Sequence, residues 1–122
     1  MGFEFEPLSH RIIEAAINVH RELGPGFIES IYHRAAEVAL RKAGLSYETE
    51  KEVRIRFLGV DVGCHRLDLV VERQIIVELK AVKAFEDVFF AKLKSYLKAA
   101  QLQVGLLINF NCPTLAIKRV VL

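Results

Sequence analysis

Apolar residues recur along this chain with two different periods. From Ser9 to Leu23, the residues Ile12, Ile13, Ala16, Ile17, His20 and Leu23 fall on one face of a helix, with Ser9 as a candidate N-cap. Gly24-Pro25-Gly26 must end that helix. A second helical stripe over 27–43 joins Ile28, Ile31, Tyr32, Ala35, Ala39 and Leu40, and Gly44 supplies the stop. The period then changes to two. Val53, Ile55 and Phe57 alternate with Arg54 and Arg56 in a strand over 47–58, and Gly59 and Gly63 mark the next turn region. Two more strands are expected over 65–72 and 74–82, joined by a tight turn near Arg73. A third helix is expected over 87–100. The apolar run from Val104 to Phe110 is too short for a typical helix and suits a strand buried on both faces. Residues 116–122 offer a last strand. The order is α-α-β-β-β-α-β-β, with no internal repeat and no domain boundary, so a single α/β domain with a mixed sheet is expected over 1–122.

Composition narrows the class. With 52% hydrophobic and 26% charged residues the chain sits near globular averages. Its apolar runs fall far short of the ~18 residues of a membrane span, and the acidic start MGFEFEPLSH lacks the basic and apolar segments of a secretory signal. Cytoplasmic residence without membrane attachment is therefore expected. Cys64 and Cys112 form no CxxC pair and are expected to be reduced thiols. Cys64 adjoins His65, but neighbours on a strand point to opposite faces, which argues against a shared zinc ion. The net charge of +2 is too small to mark a polyanion binder. Its distribution is more informative. Residues 1–79 carry 10 basic and 13 acidic groups, whereas 80–122 carry 7 basic and 2 acidic groups. That asymmetry is compatible with a phosphate backbone on one side of the site, but taken alone it favours an ordinary lysine-coated helix.

The most informative stretch is RLDLVVERQIIVELKAV, residues 66–82. Alternation puts Leu67, Leu69 and Val71 on one face of the second strand and Arg66, Asp68 and Val70 on the other. In the third strand Ile75, Val77, Leu79 and Ala81 share one face, and Ile76, Glu78 and Lys80 share the opposite one. A three-residue loop, 72–74, sets Asp68 against Glu78, Val70 against Ile76 and Arg66 against Lys80. A two-residue loop puts the carboxylates on opposite faces. Only the first register gives one wholly apolar face, so it is the expected one. Two opposed like charges need compensation, and a hard divalent cation with oxygen ligands supplies it. The backbone carbonyl of Leu79 offers a further ligand. Lys80, back on the same face, can stabilise charge developing on a phosphate or orient a water. The alternative is a solvated face on which the carboxylates pair with Arg66, Lys80 and Lys83.

Asp68, nine intervening residues, then Glu78-Leu79-Lys80 resembles the D…(D/E)xK signature of the PD-(D/E)XK nucleases, with Leu67 in place of the proline. The elements from the second helix onward follow that superfamily's αβββαβ core, with an extra N-terminal helix and a C-terminal strand. GFIESIY, Gly26 to Tyr32, resembles the motif of the GxxExxY family within that superfamily. The likeness continues through LVVERQIIVELKAV, YLKAAQ, GLLINF and KRVVL, over about residues 10–122. The resemblance implies a restriction-endonuclease-like fold and a metal site of Asp68, Glu78 and the Leu79 carbonyl with Glu29 added. It also implies catalysis by Lys80 with Asp68 and Glu78. On a helical wheel Glu29 lies beside Ala36 and Leu40, at the edge of the apolar stripe. An acidic residue is also simply favoured in a first helical turn. His33, one turn on, is expected at the surface. The third helix departs from the family, which commonly carries a histidine where Phe89 stands and a glutamine where Lys92 stands. Lys92 and Tyr96 are one turn apart on one helix edge. Lys92 is placed either to contact phosphate or to pair with Glu29 or Asp68 in competition with the metal.

Two functions follow as expectations. One is a Mg2+- or Mn2+-dependent phosphodiesterase acting on nucleic acid, DNA ahead of RNA, with Lys92, Tyr96 and Lys83 near the substrate and little sequence specificity. The other is a weakly active or inactive module on the same fold that binds nucleic acid or a protein. Either can work as a homodimer, for which the C-terminal segment LAIKRVVL offers an edge strand.

Overall fold

A computed structural model describes residues 6–122. Helix α1 (Glu6–Leu23) and helix α2 (Glu29–Lys42) precede strands β1 (Tyr47–Phe57), β2 (Val60–Val71) and β3 (Ile75–Lys80). Helix α3 (Asp87–Ala100), β4 (Val104–Asn109) and β5 (Ala116–Val121) complete the order. The strands make one mixed sheet in the order β1-β2-β3-β4-β5. Neighbours are antiparallel except β3 and β4, which run parallel. A parallel pair needs a crossover, and α3 supplies it.

Each sheet face has its own apolar layer. Leu69, Val71, Ile75, Val77, Leu79, Leu106 and Ile108 pack under α1 and α2. Val70, Ile76, Leu107 and Val120 pack under Leu93 and Leu97 of α3. All six residues of β4 are buried, as a strand covered on both sides requires. Gly105 lets α3 approach closely, since a Cβ there would meet the Leu93 side chain at 2.9 Å.

Four local expectations are corrected. First, Ser9 does not cap α1: it lies within the helix, buried, with its hydroxyl unpartnered. The buried face of α1 runs through Ile12, Ala15, Ala16 and Val19, leaving Ile17 at the surface. Second, α2 buries Tyr32, Ala36 and Leu40, and Ile28 and Ile31 point to solvent. Tyr32 fixes that rotation. Its ring stacks on Phe110 at 4.6 Å, and its hydroxyl donates to the Gly24 carbonyl at 2.5 Å and accepts from the Phe27 N–H at 3.1 Å. Third, β2 begins at Val60. The turn is Leu58-Gly59, and Gly63 lies inside the strand opposite a register shift at Ile55/Arg56. Fourth, Leu67 packs with Val70 under α3, not with Leu69. The β1–β2 ladder is interrupted at Glu50 (φ 49°), between the pairs Thr49–Leu69 and Lys51–Leu67. Alternation breaks there, opposite Asp68.

Candidate metal centre

The β2–β3 hairpin adopts the register that hydrophobic consistency favours: Val71 faces Ile75, Val70 faces Ile76 and Leu69 faces Val77. Its turn puts Glu72 and Arg73 at positive φ (53° and 57°). The Glu72 carboxylate anchors that turn by accepting from the Ser46 N–H at 2.6 Å and from the Ser46 hydroxyl.

Asp68 and Glu78 come next in register, and there the backbone ladder gives way to side chains. The Asp68 N–H donates to Glu78 Oε2 at 2.9 Å. The Leu79 N–H donates to Asp68 Oδ2, also at 2.9 Å. Each carboxylate thus replaces a ladder acceptor while keeping its other oxygen clear of these bonds. N–H and C=O of one strand residue point to the same side, so the Leu79 carbonyl faces the gap between β2 and β3. The Lys80 carbonyl faces the other way and accepts from Phe110 N–H at 2.9 Å. The expected Arg66–Lys80 pair does not form, because the strands have parted. Arg66 pairs with Glu52 of β1, and its guanidinium lies 3.8 Å from Glu50.

Glu78 is the one buried charged residue among those described. Burial pushes its carboxyl up, and neighbouring Asp68 adds to the rise. Glu29 arrives from the first turn of α2. Its carboxyl is also raised, chiefly by burial, while Lys80 and a backbone hydrogen bond from Ala81 oppose that rise and Asp68 adds to it. Lys80 holds its ammonium 4.8 Å above the Phe89 ring. Just beyond Lys80, the Asn109 amide grips Val82 twice, accepting its N–H at 3.0 Å and donating to its carbonyl at 2.9 Å. That clamp fixes the end of β3.

Glu29, Asp68, Glu78, Lys80, Lys92 and Tyr96 line one cavity of about 200 Å³, together with His65, Arg66, Phe89 and Leu107. Lys83 is exposed and outside it. His33 is half-buried; it meets Thr49 Oγ1 at 2.7 Å and lies 3.5 Å from Glu37. Lys92 forms no salt bridge with the three carboxylates among the described residues. Cys64 and Cys112 are free thiols. A larger groove of about 890 Å³ lies between α1 and α2. It is away from the carboxylates and carries none of this chemistry.

His65 is the site residue that sequence reasoning missed. Strict alternation puts it on the face of Leu67 and Leu69, away from Asp68. The break opposite Glu50 turns this end of β2 toward α3, where His65 stacks on Tyr96 at 3.8 Å and 12°. Burial lowers the His65 pKa, and Lys92 and Lys80 add to that against the pull of Asp68. Tyr96 is raised by burial and by Glu78 and Asp68.

Among the described residues no three His, Cys, Asp or Glu side chains stand together as a ready-made cation cage. The donor set is two adjoining carboxylates and a carbonyl, with Glu29 farther out. Mg2+ is commonly held by one or two carboxylates, with waters and substrate phosphate completing the shell. A pair of carboxyl groups, Glu78 buried and Asp68 half-buried, therefore fits that ion and does not fit a closed structural site.

Among the described residues no helix is long and apolar enough to cross a membrane. No curated protein matches this chain significantly. The solved structure of SSO0001 superimposes with a TM-score of 0.61 at 21% identity, covering 75% of this chain. The overlap is 48% of that chain, so the present chain matches about half its length, and the likeness shows the fold. The family model of the PD-(D/E)XK nuclease superfamily matches residues 6–120, and the chain belongs to that superfamily.

Proposed function

We propose that this chain is a divalent-metal-dependent phosphodiesterase of the GxxExxY branch that hydrolyses nucleic acid, DNA in preference to RNA, in the cytoplasm. The observation that carries the reading is the buried Glu78 beside Asp68, each bonded to the other strand's backbone. Those bonds hold two carboxyl groups together, and ionising both carries a cost that a bound cation would offset. Asp68, Glu78 and the Leu79 carbonyl would hold Mg2+ or Mn2+, with Glu29 in support. The ion would neutralise the scissile phosphate and supply Lewis acidity. Lys80, half-buried and backed by Phe89, is the residue to stabilise charge developing on that phosphate and to orient the attacking water. Lys92 and Arg66, exposed at the rim, would meet backbone phosphates, and Tyr96 stands behind them with His65. The sequence carries no obvious base-reading motif, so weak sequence specificity is expected.

A second reading is a non-catalytic binding module, favoured by Phe89 and Lys92 standing where relatives place histidine and glutamine. The two separate in an assay of single- and double-stranded DNA and RNA with Mg2+ or Mn2+, comparing wild type with Asp68→Ala and Lys80→Ala. Metal-dependent cleavage lost in both variants is the expected result. Cleavage unchanged in both would sink the assignment. Salt-dependent binding without cleavage would favour the module.

A further inference from the structure

Lys80 shares its cavity with three carboxyl groups and pairs with none of them. Glu78 precedes it by two residues on β3, a separation of roughly 7 Å at ~3.3 Å per residue, and both residues face that cavity. Glu29 and Asp68 line the same space. A lysine carries its ammonium on a flexible four-carbon stem, long enough to cover such a gap. Its charge is felt there, since it opposes the rise in both Glu29 and Glu78. Yet among the described residues the Lys80 ammonium takes part in no salt bridge. Unlike charges attract more strongly as the local dielectric falls. A lysine with no other partner would therefore be drawn onto these carboxyl groups whenever they ionise.

Phe89 offers the competing seat. The ammonium lies 4.8 Å from the centre of its ring, inside the ~6 Å over which the negative face of an aromatic ring attracts a cation. Both ends of that contact are held. Lys80 pairs with Asn109 of β4, its carbonyl accepts from the Phe110 N–H at 2.9 Å, and the Asn109 amide fixes Val82 just beyond it. Phe89 sits in the first turn of α3, where its N–H donates to the Glu86 carbonyl at 3.0 Å, and its side chain packs against the layer of Leu93 and Leu97. The ring and the lysine are both half-buried, so water screens the contact only in part. A leucine at 89 could join the same apolar layer, but it has no π face to offer.

We propose that Phe89 is a positioning residue for Lys80. Its ring holds the ammonium away from Asp68, Glu78 and Glu29, which leaves those groups open to a divalent cation and the lysine open to the phosphate. The inference rests on the reading of the carboxyl groups as a metal centre, and adds the device that keeps the chain's own cation out of it. Without the ring, the metal-free chain divides between an open state and one in which Lys80 occupies the carboxylates. Affinity for an added cation then falls with the open fraction. A half-buried cation–π contact shifts such a balance by roughly threefold to tenfold.

Calorimetric titration of Mn2+ into the metal-free full chain is the test, run as a cycle of wild type, Phe89→Leu, Lys80→Met and the double variant, each with its melting temperature. Phe89→Leu should weaken binding about two- to tenfold in the wild-type background. Beside Lys80→Met it should change nothing, because no internal cation then competes. Phe89→Tyr keeps an aromatic face and should bind as wild type does. An equal loss in both backgrounds would make Phe89 a purely structural residue and overturn the proposal, as would no loss in either. Proton NMR of the metal-free wild type checks the contact without any variant. The Lys80 methylene next to the ammonium should resonate upfield of an ordinary lysine's, because it lies over the ring, and an ordinary position would overturn the proposal. Wild type that binds no Mn2+, with or without a nucleic-acid strand, would overturn the metal-centre reading itself and the proposal with it.

Discussion

Replacing Glu78 by glutamine separates stability from function at one position. The amide keeps the shape and still accepts the Asp68 N–H, but it removes the charge. Because folding raises this carboxyl, the native state holds its proton more tightly than the unfolded chain. The penalty is therefore absent at low pH, grows as pH rises above 4.5 and is complete above about 8. A tenfold change in proton affinity is worth about 1.4 kcal/mol, so the full rise from 4.5 to about 8 corresponds to ~5 kcal/mol. That figure is already net of the hydrogen bond from the Asp68 N–H and of the attraction to Lys80, which oppose the rise. In EDTA, Glu78→Gln is thus expected to be several kcal/mol, at most ~5, more stable than wild type above pH 8, with the difference shrinking toward zero near pH 5. Urea denaturation at the two pH values measures it, with an unchanged m-value as the control. Metal-dependent cleavage should be abolished in the same variant. A variant less stable than wild type at high pH, or a difference independent of pH, would refute the electrostatic reasoning.

Tyr32→Phe removes the hydroxyl that joins Gly24 to Phe27 and should cost about 1–3 kcal/mol in chemical denaturation. Gly105→Val drives two methyl groups toward Leu93 and should lower stability by about 1–3 kcal/mol, read as a fall in melting temperature, with the cleavage pattern unchanged. Lys92→Gln removes a cation at the cavity rim that the carboxylates do not hold. It should raise KM several-fold, leave kcat little changed and flatten the salt dependence of binding. A rise in kcat would instead show that Lys92 had been competing with the metal.

Much of this molecule is legible in its sequence, for identifiable reasons. The β2–β3 register was decidable because a one-residue slip would have buried a carboxylate among Leu69, Val77 and Leu79. β4 was legible because a short run that is apolar but for Asn109 has few other places to go. Helix rotations were less so. Ile28 and Ile31 fit the α2 stripe as well as Tyr32 does, and only the stacking on Phe110, distant in sequence, decides between them. His65 was hidden for a related reason: period-two counting fails where a strand is irregular, and positive φ at Glu50 leaves no compositional mark. The Asp68–Glu78 cross-bonding was likewise invisible. Pairing predicts that the two side chains meet, but not that each takes over a backbone hydrogen bond from the other's strand.

The most direct test of the central claim is a calorimetric titration of Mn2+ into the metal-free chain at neutral pH, on wild type and Glu78→Gln. A carboxylate pair built to hold a cation predicts one binding event per chain in wild type, with proton release as Glu78 ionises, and its loss in the variant. Equal binding by both proteins, or none by wild type even with a nucleic-acid strand present, would contradict the account.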